Sequence, residues 1–390
     1  MTKKIKLLIL IFISALMILA WWSSLTIGLS SDEYFHHING LKRYNFLVSF
    51  GEDRNFQFRN NDLYPGLYDT ISYTLSQIFY LINKNFYVNN IDFVMHFINV
   101  LFSSLSLLGL YIFTKKILDK NIALLSVFLT LANPFFFGHM GMNSKDTIIF
   151  FSLIWSTYFF YIYFLENEKI KHLILGSIFV GFGCGVRLPF LLVVFPVILS
   201  GFIFLICKYR LNYLYLIKKL SLHVIIFFTL ITSLVMICWP HFMVAIENKE
   251  GINFLLSNIE RTLNFEGPRT GLINGQYYEV FNSPKTYFLK VFVFRFPIYF
   301  LILIFLFYAL AFYKKKNNFE INSNLFIKFF LINIIIFFPI IITIIFGIGL
   351  YDNIRLFLFI IPFLAILGAF SLNHLINFFN KSVKLKFIFF

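Results

Sequence analysis

Residues 5–29, IKLLILIFISALMILAWWSSLTIGL, decide the fold class, and residues 31–40 behind them, SDEYFHHING, point to where function sits. The first stretch is about 25 residues long with only Lys6 charged, so as a helix rising about 1.5 Å per residue it outreaches a bilayer core of roughly 30 Å. It is too long for the roughly 7–15-residue apolar region of a cleaved signal peptide and ends in bulky residues, so it reads as a retained span. Asp32 and Glu33 stand where the chain re-enters water, with His36 and His37 one turn on. Ionisable groups at a membrane face are candidates for function by default.

Composition widens that reading to the whole chain. Of 390 residues 59% are hydrophobic and 13% charged, against about 25% charged in soluble domains, which marks an integral membrane protein. The formal charge of +15 does not imply nucleic acid, because the basic residues form short clusters between apolar runs rather than one patch. Cys184, Cys207 and Cys238 have unrelated spacings in or beside apolar runs, so neither a disulfide framework nor a thiolate metal site is expected.

Apolar runs predict about ten spans, near 5–29, 91–114, 121–137, 147–165, 170–187, 189–207, 218–239, 286–312, 325–349 and 355–379. The expectation is an all-α polytopic bundle forming a single domain over 1–390. Alternation puts Lys3/4/6, Lys115/116/120, Lys169/171, Lys208, Arg210, Lys218/219, Lys314–316 and Lys381/384/386 on one side. These are 18 of the 33 basic residues, and only Asp119, Glu166, Glu168 and Glu320 of the 18 acids share that side. The positive-inside rule then places both termini in the cytoplasm, and the plasma membrane, for a bacterium the inner one, is the expected location. The non-cytoplasmic loops are about 30–90, 138–146, 240–285 and 349–355, the first carrying an amphipathic stretch, LYDTISYTLSQIFYLIN, suited to lie along the interface.

Four loops thus bring acids and arginines to one face. Asp32 and His36 share a face if 32–45 is helical, where a carboxylate can serve as general base and an imidazole can orient it or help hold a divalent ion. Ser31 with Asp32 and Glu33 is equally the composition of a helix N-cap. Asp146 opens the fourth span behind Asn143 and Ser144, which also suit a cap. Arg187, in GVRLP, runs against the positive-inside trend at the outer boundary: a guanidinium there can grip a phosphate through two N–H groups, or snorkel to ordinary headgroups. Arg355 opens the last span in the same way, Arg269 lies in the third outer loop, and Arg295 sits in a Phe-rich run. Trp21–Trp22 and Trp239–Pro240 read as interfacial anchors, and His96 and His139 as packed or boundary histidines.

A lipid carrying a phosphate and a reactive group would join these residues, and a polyprenyl-phosphate sugar is such a lipid. Ser31–His36 with Asn39–Gly40 also resembles the first-loop acidic motif of GT-C glycosyltransferases, in the bacterial branch related to dolichyl-phosphate-mannose protein mannosyltransferases. NPFFFGH at 133–139 with NSKD at 143–146, GFGCGVR at 181–187, Trp239–Pro240, Ser283–Pro284 with Tyr287, and YDNIR at 351–355 continue the resemblance in order. An aromatic-acidic stretch expected after Trp239–Pro240 is replaced here by HFMVA.

The resemblance implies an inverting transfer of a sugar from a polyprenyl-phosphate donor to an acceptor hydroxyl on the non-cytoplasmic face. Asp32 would be the base, Glu33 its support and Asp146 the second-loop acid. Arg187 and Arg355, with Arg269, would hold the donor phosphate. A divalent metal, with His36 as ligand, is compatible with that superfamily, and the acceptor class stays open among protein, lipid and glycan. The rival reading is a transporter or flippase of a lipid-linked sugar, which would place polar residues along the middles of the spans, whereas here the middles are nearly uncharged and the ionisable residues gather at one face.

Overall fold

Each apolar run carries helix in the computed structural model, which describes residues 1–57, 62–209, 213–263, 270–273, 275–279, 284–316, 323–346 and 355–388. The first run is the unbroken helix α1 (Lys3–Thr26). The long first loop is itself mostly helical: α2 (Ser31–Val48), α3 (Leu67–Ile82) and the short α4 (Lys84–Asn89). Next come α5 (Ile91–Ile117), α6 (Lys120–Ala132), α7 (Pro134–His139), α8 (Asp146–Ile162), α9 (Ile170–Val186), α10 (Phe190–Lys208) and α11 (Tyr213–Ile237). The loop after α11 holds α12 (Pro240–Glu247), α13 (Gly251–Leu263) and an antiparallel hairpin of β1 (Thr270–Ile273) and β2 (Gln276–Glu279). The chain closes with α14 (Tyr287–Arg295), α15 (Ile298–Lys316), α16 (Ser323–Phe346) and α17 (Ile361–Ile388), the last entered through a 3₁₀ turn over Arg355–Ile360.

The architecture is the expected helical membrane bundle, but its spans are less uniform than hydropathy implied. Among the described residues seven helices are long and apolar enough to cross a bilayer, or eight if α14 and α15 count as one. Those two helices meet at 113°, so the continuous span read over 286–312 is broken. Pro297 is the cause: it offers no N–H and disfavours helix at the residue before it, and Phe296 is accordingly extended (φ −78, ψ 142). Asn133–Pro134 ends α6 in the same way, where Asn133 caps α7 through its side chain. The apolar helices α6 and α9 reach only about 20 and 25 Å at 1.5 Å per residue.

The centre of the bundle is α8, flanked by α5 and α9, with the first half of α17 lying against α6. Burial separates inner from outer helices: 78% of the α8 span is inside the protein, against 6% of the α1 span, whose Leu7, Ile11 and Ile18 face outward as lipid contacts would. Core side chains such as Phe150, Ile154, Phe363 and Ile366 are fully enclosed.

The loop after α1 and the loop after α11 are locked together. Trp239 Nε1 donates to the Asp62 carbonyl at 3.0 Å, Arg261 pairs with Asp62 at 2.6 Å, and Arg54 pairs with Glu247 at 3.1 Å. Trp239 is fully buried against Phe242 and Phe254, so it is a packing residue and not the interfacial anchor its sequence context suggested. The α2–α3 pair sits on this platform and depends on two glycines. A side chain on Gly40 would strike the Asp69 carbonyl at 2.3 Å, where the helices cross. Gly66 has φ +77 and lies against the Arg43 guanidinium, leaving no room for a Cβ.

Candidate active site

The ends of α2, α8, α9 and α17 converge at one end of the bundle and bring four of the residues singled out in the sequence together. Asp146, first residue of α8, is almost enclosed, with 3% of its side chain exposed. Its Oδ1 meets Arg187, just beyond α9, at 3.2 Å, and its Oδ2 accepts from Arg355 Nε at 3.0 Å. Asn143 fixes the turn into α8: its Oδ1 accepts from the backbone N–H of Asp146 at 2.8 Å while its Nδ2 donates to Asp146 Oδ2 at 3.0 Å. Cap and site are one structure here. Arg355 also reaches Asp32 Oδ2 at 3.5 Å, so one guanidinium ties residues more than 300 positions apart in sequence.

Asp32 is the open member of the group, with half of its side chain exposed. Burial pushes its carboxyl upward, but Arg355, Lys145 and His36 outweigh this and hold the pKa below the usual aspartate value. It is a carboxylate at neutral pH, facing outward beside fixed cations.

Glu33 lies one residue on and points the other way. It is fully buried, 2.9 Å from His96 Nε2, and accepts from Ser30 N–H at 2.8 Å and Asn99 Nδ2 at 3.5 Å. Tyr68 in turn donates to Asn99 Oδ1. The helix cap is therefore Ser30, one residue earlier than the sequence suggested, because Glu33 then falls at the third helical position and reaches back to the cap N–H. The bond to His96 pins the start of α2 to α5 and sets the direction in which Asp32 points.

His36 turns toward α3. Its Nδ1 is 2.9 Å from Asp69 Oδ1, and the other Asp69 oxygen meets the enclosed Arg43 at 3.5 Å, which itself donates to the Tyr64 carbonyl at 2.7 Å. Among the described residues no three His, Cys, Asp or Glu side chains group as an ion would require, and the outward carboxylates already face guanidinium groups. These residues do not fit a resident divalent ion. Arg269 and residues 351–354 lie outside the described residues, and Arg295 is exposed at the end of α14, apart from the cluster.

Sequence reading missed the supporting layer of His96, Asn99, Tyr68, Asp69 and Arg43, and it passed over Lys145. Asp69 carried one usable signal, an acid in the first turn of an otherwise apolar amphipathic helix. An apolar cavity of about 230 Å³ begins beside Leu191, four residues past Arg187, and continues along α10 past Phe195 to Phe202, walled by Phe160 and Phe227.

A predominantly helical bundle with paired acids and arginines at one end makes this a polytopic membrane protein, and its fold resembles solved membrane proteins. Residues 75–239 match the family model described as dolichyl-phosphate-mannose-protein mannosyltransferase, a range that holds His96, Asp146 and Arg187. The chain superposes on ArnT from Cupriavidus metallidurans bound to undecaprenyl phosphate with TM-score 0.60 at 14% identity, covering 93% of this chain and 60% of that one. It also matches the archaeal oligosaccharyltransferase AglB from Archaeoglobus fulgidus, solved with an inhibitory peptide and a dolichol-phosphate. There the TM-score is 0.58 at 13% identity, over 99% of this chain and 52% of that one. The chain thus spans between about half and three fifths of the length of these structures. No curated protein matches it by sequence.

Proposed function

We propose that the protein transfers a sugar from a polyprenyl-phosphate donor to an acceptor hydroxyl on the non-cytoplasmic face of the plasma membrane, with both termini cytoplasmic. The observation that carries this reading is the shared Arg355, which joins an exposed carboxylate, Asp32, to an enclosed one, Asp146, beside Arg187. Asp32 accepts the proton of the acceptor hydroxyl as its oxygen attacks the anomeric carbon. The bond from that carbon to the phosphate oxygen breaks, the electron pair leaves with the polyprenyl phosphate, and the configuration inverts. Asp146 holds both arginines in place, and their remaining N–H groups face the charge that grows on the leaving phosphate, an electrostatic role strongest where water is excluded.

Glu33 acts as a positioning residue. The cavity beyond Leu191 suits the start of an isoprenoid tail whose phosphate sits near Arg187. Both solved structures hold a polyprenyl phosphate, which supports the donor class. A transporter would need its ionisable groups strung along the spans, whereas here the paired acids and arginines of the site gather at one end and other pairs, such as Lys116–Glu166 and Lys208–Glu168, sit at helix ends.

The test is turnover of labelled polyprenyl-phosphate sugars by purified protein in nanodiscs, wild type beside Asp32→Asn. Transfer that falls about 10²–10⁴-fold in the variant supports the assignment. Equal lipid binding without turnover in both proteins would instead indicate transport.

A further inference from the structure

We propose that Lys145 is the residue that grips the donor phosphate, an inference that rests on the lipid-phosphate reading above. The other cations of the cluster each already face a carboxylate. Arg187 and Arg355 sit on Asp146, and Arg43 sits on Asp69. Lys145, in the turn that leads into α8, is different. Among the described residues its ammonium makes no hydrogen bond and no ion pair, and its contact is with the face of Tyr64, 4.3 Å from the ring centroid. Asp32, Asp69 and Asp146 are near enough to act on it through space, from α2, α3 and α8, and Arg187 opposes them from the end of α9.

That position costs stability and returns little to the fold. A single contact with an aromatic face offsets only part of what the half-buried ammonium loses on leaving water. A positive charge at the start of a helix also opposes the helix dipole. A phosphate supplies what is missing: a compact anion able to take all three ammonium donors. Asp32, Asp146, Arg187 and Arg355 balance in charge, so Lys145 leaves an uncompensated positive charge beside the base. Burial, with Arg187 next, lowers the Lys145 pKa to about 8, against the pull of Asp69, Asp32 and Asp146. Phosphate binding should therefore weaken as pH rises from 7 to 9, a range in which a phosphomonoester with second pKa about 6 keeps its charge.

The experiment compares wild type, Lys145→Gln and Lys145→Arg in phosphatidylcholine nanodiscs, binding undecaprenyl phosphate and, as neutral control, undecaprenol. The expected result is at least a tenfold loss of phosphate affinity in Lys145→Gln with undecaprenol binding unchanged. Affinity in Lys145→Arg should be retained and no longer fall between pH 7 and 9. Phosphate binding in Lys145→Gln equal to wild type overturns the inference and leaves the proposed function standing. Wild type that binds the alcohol as tightly as the phosphate sinks the lipid-phosphate reading itself. Equal competition by phosphatidylglycerol would make Lys145 an anchor for bulk anionic headgroups and would also overturn the inference. If Lys145→Gln does not fold, the pH profiles of wild type and Lys145→Arg decide alone: parallel profiles refute the role.

Discussion

Asp32 and Glu33 are neighbours in sequence with opposite surroundings, so replacing each should damage a different property. Glu33 is enclosed and accepts from Ser30 N–H, Asn99 and the ring of His96. Glu33→Ala strands two buried groups, on His96 and Asn99, and the part-buried Ser30 N–H, and opens a hole at the α2–α5 contact. Hydrogen bonds to a charged acceptor are worth about 1.5–3 kcal/mol each, and membrane proteins recover part of this because their less folded states also find partners. Even at about 1 kcal/mol per contact the loss is about 3 kcal/mol, before any penalty for the hole. Asp32, half exposed and 3.5 Å from Arg355, should cost about 0.5 kcal/mol or less when changed to Asn. Thermal unfolding in detergent, read by tryptophan fluorescence and run beside the transfer assay, separates the two. Glu33→Ala should melt several degrees lower, while Asp32→Asn melts like wild type and loses turnover. A Glu33→Ala protein as stable as wild type would refute the account of α2 docking, and an Asp32→Asn protein as active as wild type would refute the assigned base.

Further expectations follow from the same geometry. Arg355→Lys keeps the charge but cannot bond Asp146 and Asp32 from one planar fork, so kcat should fall about 10²–10³-fold with little change in melting temperature, checked by steady-state kinetics. Because fixed cations hold the Asp32 carboxyl below its ordinary pKa of 3.8, the base stays ionised as pH falls to that value. The acid limb of kcat/KM should therefore not appear between pH 5 and 8, and a limb near 6 would assign the base elsewhere. Gly66→Ala places a Cβ about 2.2 Å from the Arg43 guanidinium at a φ of +77, so it should lower the melting temperature or abolish the folded yield, scored by size-exclusion profile.

The membrane class and the location of every apolar helix were legible in the sequence because transfer into hydrocarbon is a local, additive property of each stretch. Breaks were less legible. Pro297 was visible, but its 113° consequence depends on what packs beside α14 and α15. Asp32, Asp146, Arg187 and Arg355 could be named as candidates because a charge at the end of an apolar run is conspicuous wherever it lies. Their pairing could not be read, since Asp32 and Arg355 stand at opposite ends of the chain.

Residues whose polarity is ordinary in sequence acquired meaning only in the fold. Glu33 and Asp32 look alike as a pair of acids, and it is His96, from the next long helix, that turns one inward and leaves the other in water. Lys145 is one lysine in a polar loop until Asp146 is seen to occupy both arginines around it. The sequence by itself determined that this chain lives in a membrane and which end of the bundle holds its ionisable chemistry, because hydrophobic partitioning sums over single residues. Tertiary structure decided which acid is exposed, which cations are neutralised and which charge is left for a ligand, because Coulomb and hydrogen-bond energies depend on distances between side chains that only the folded bundle sets.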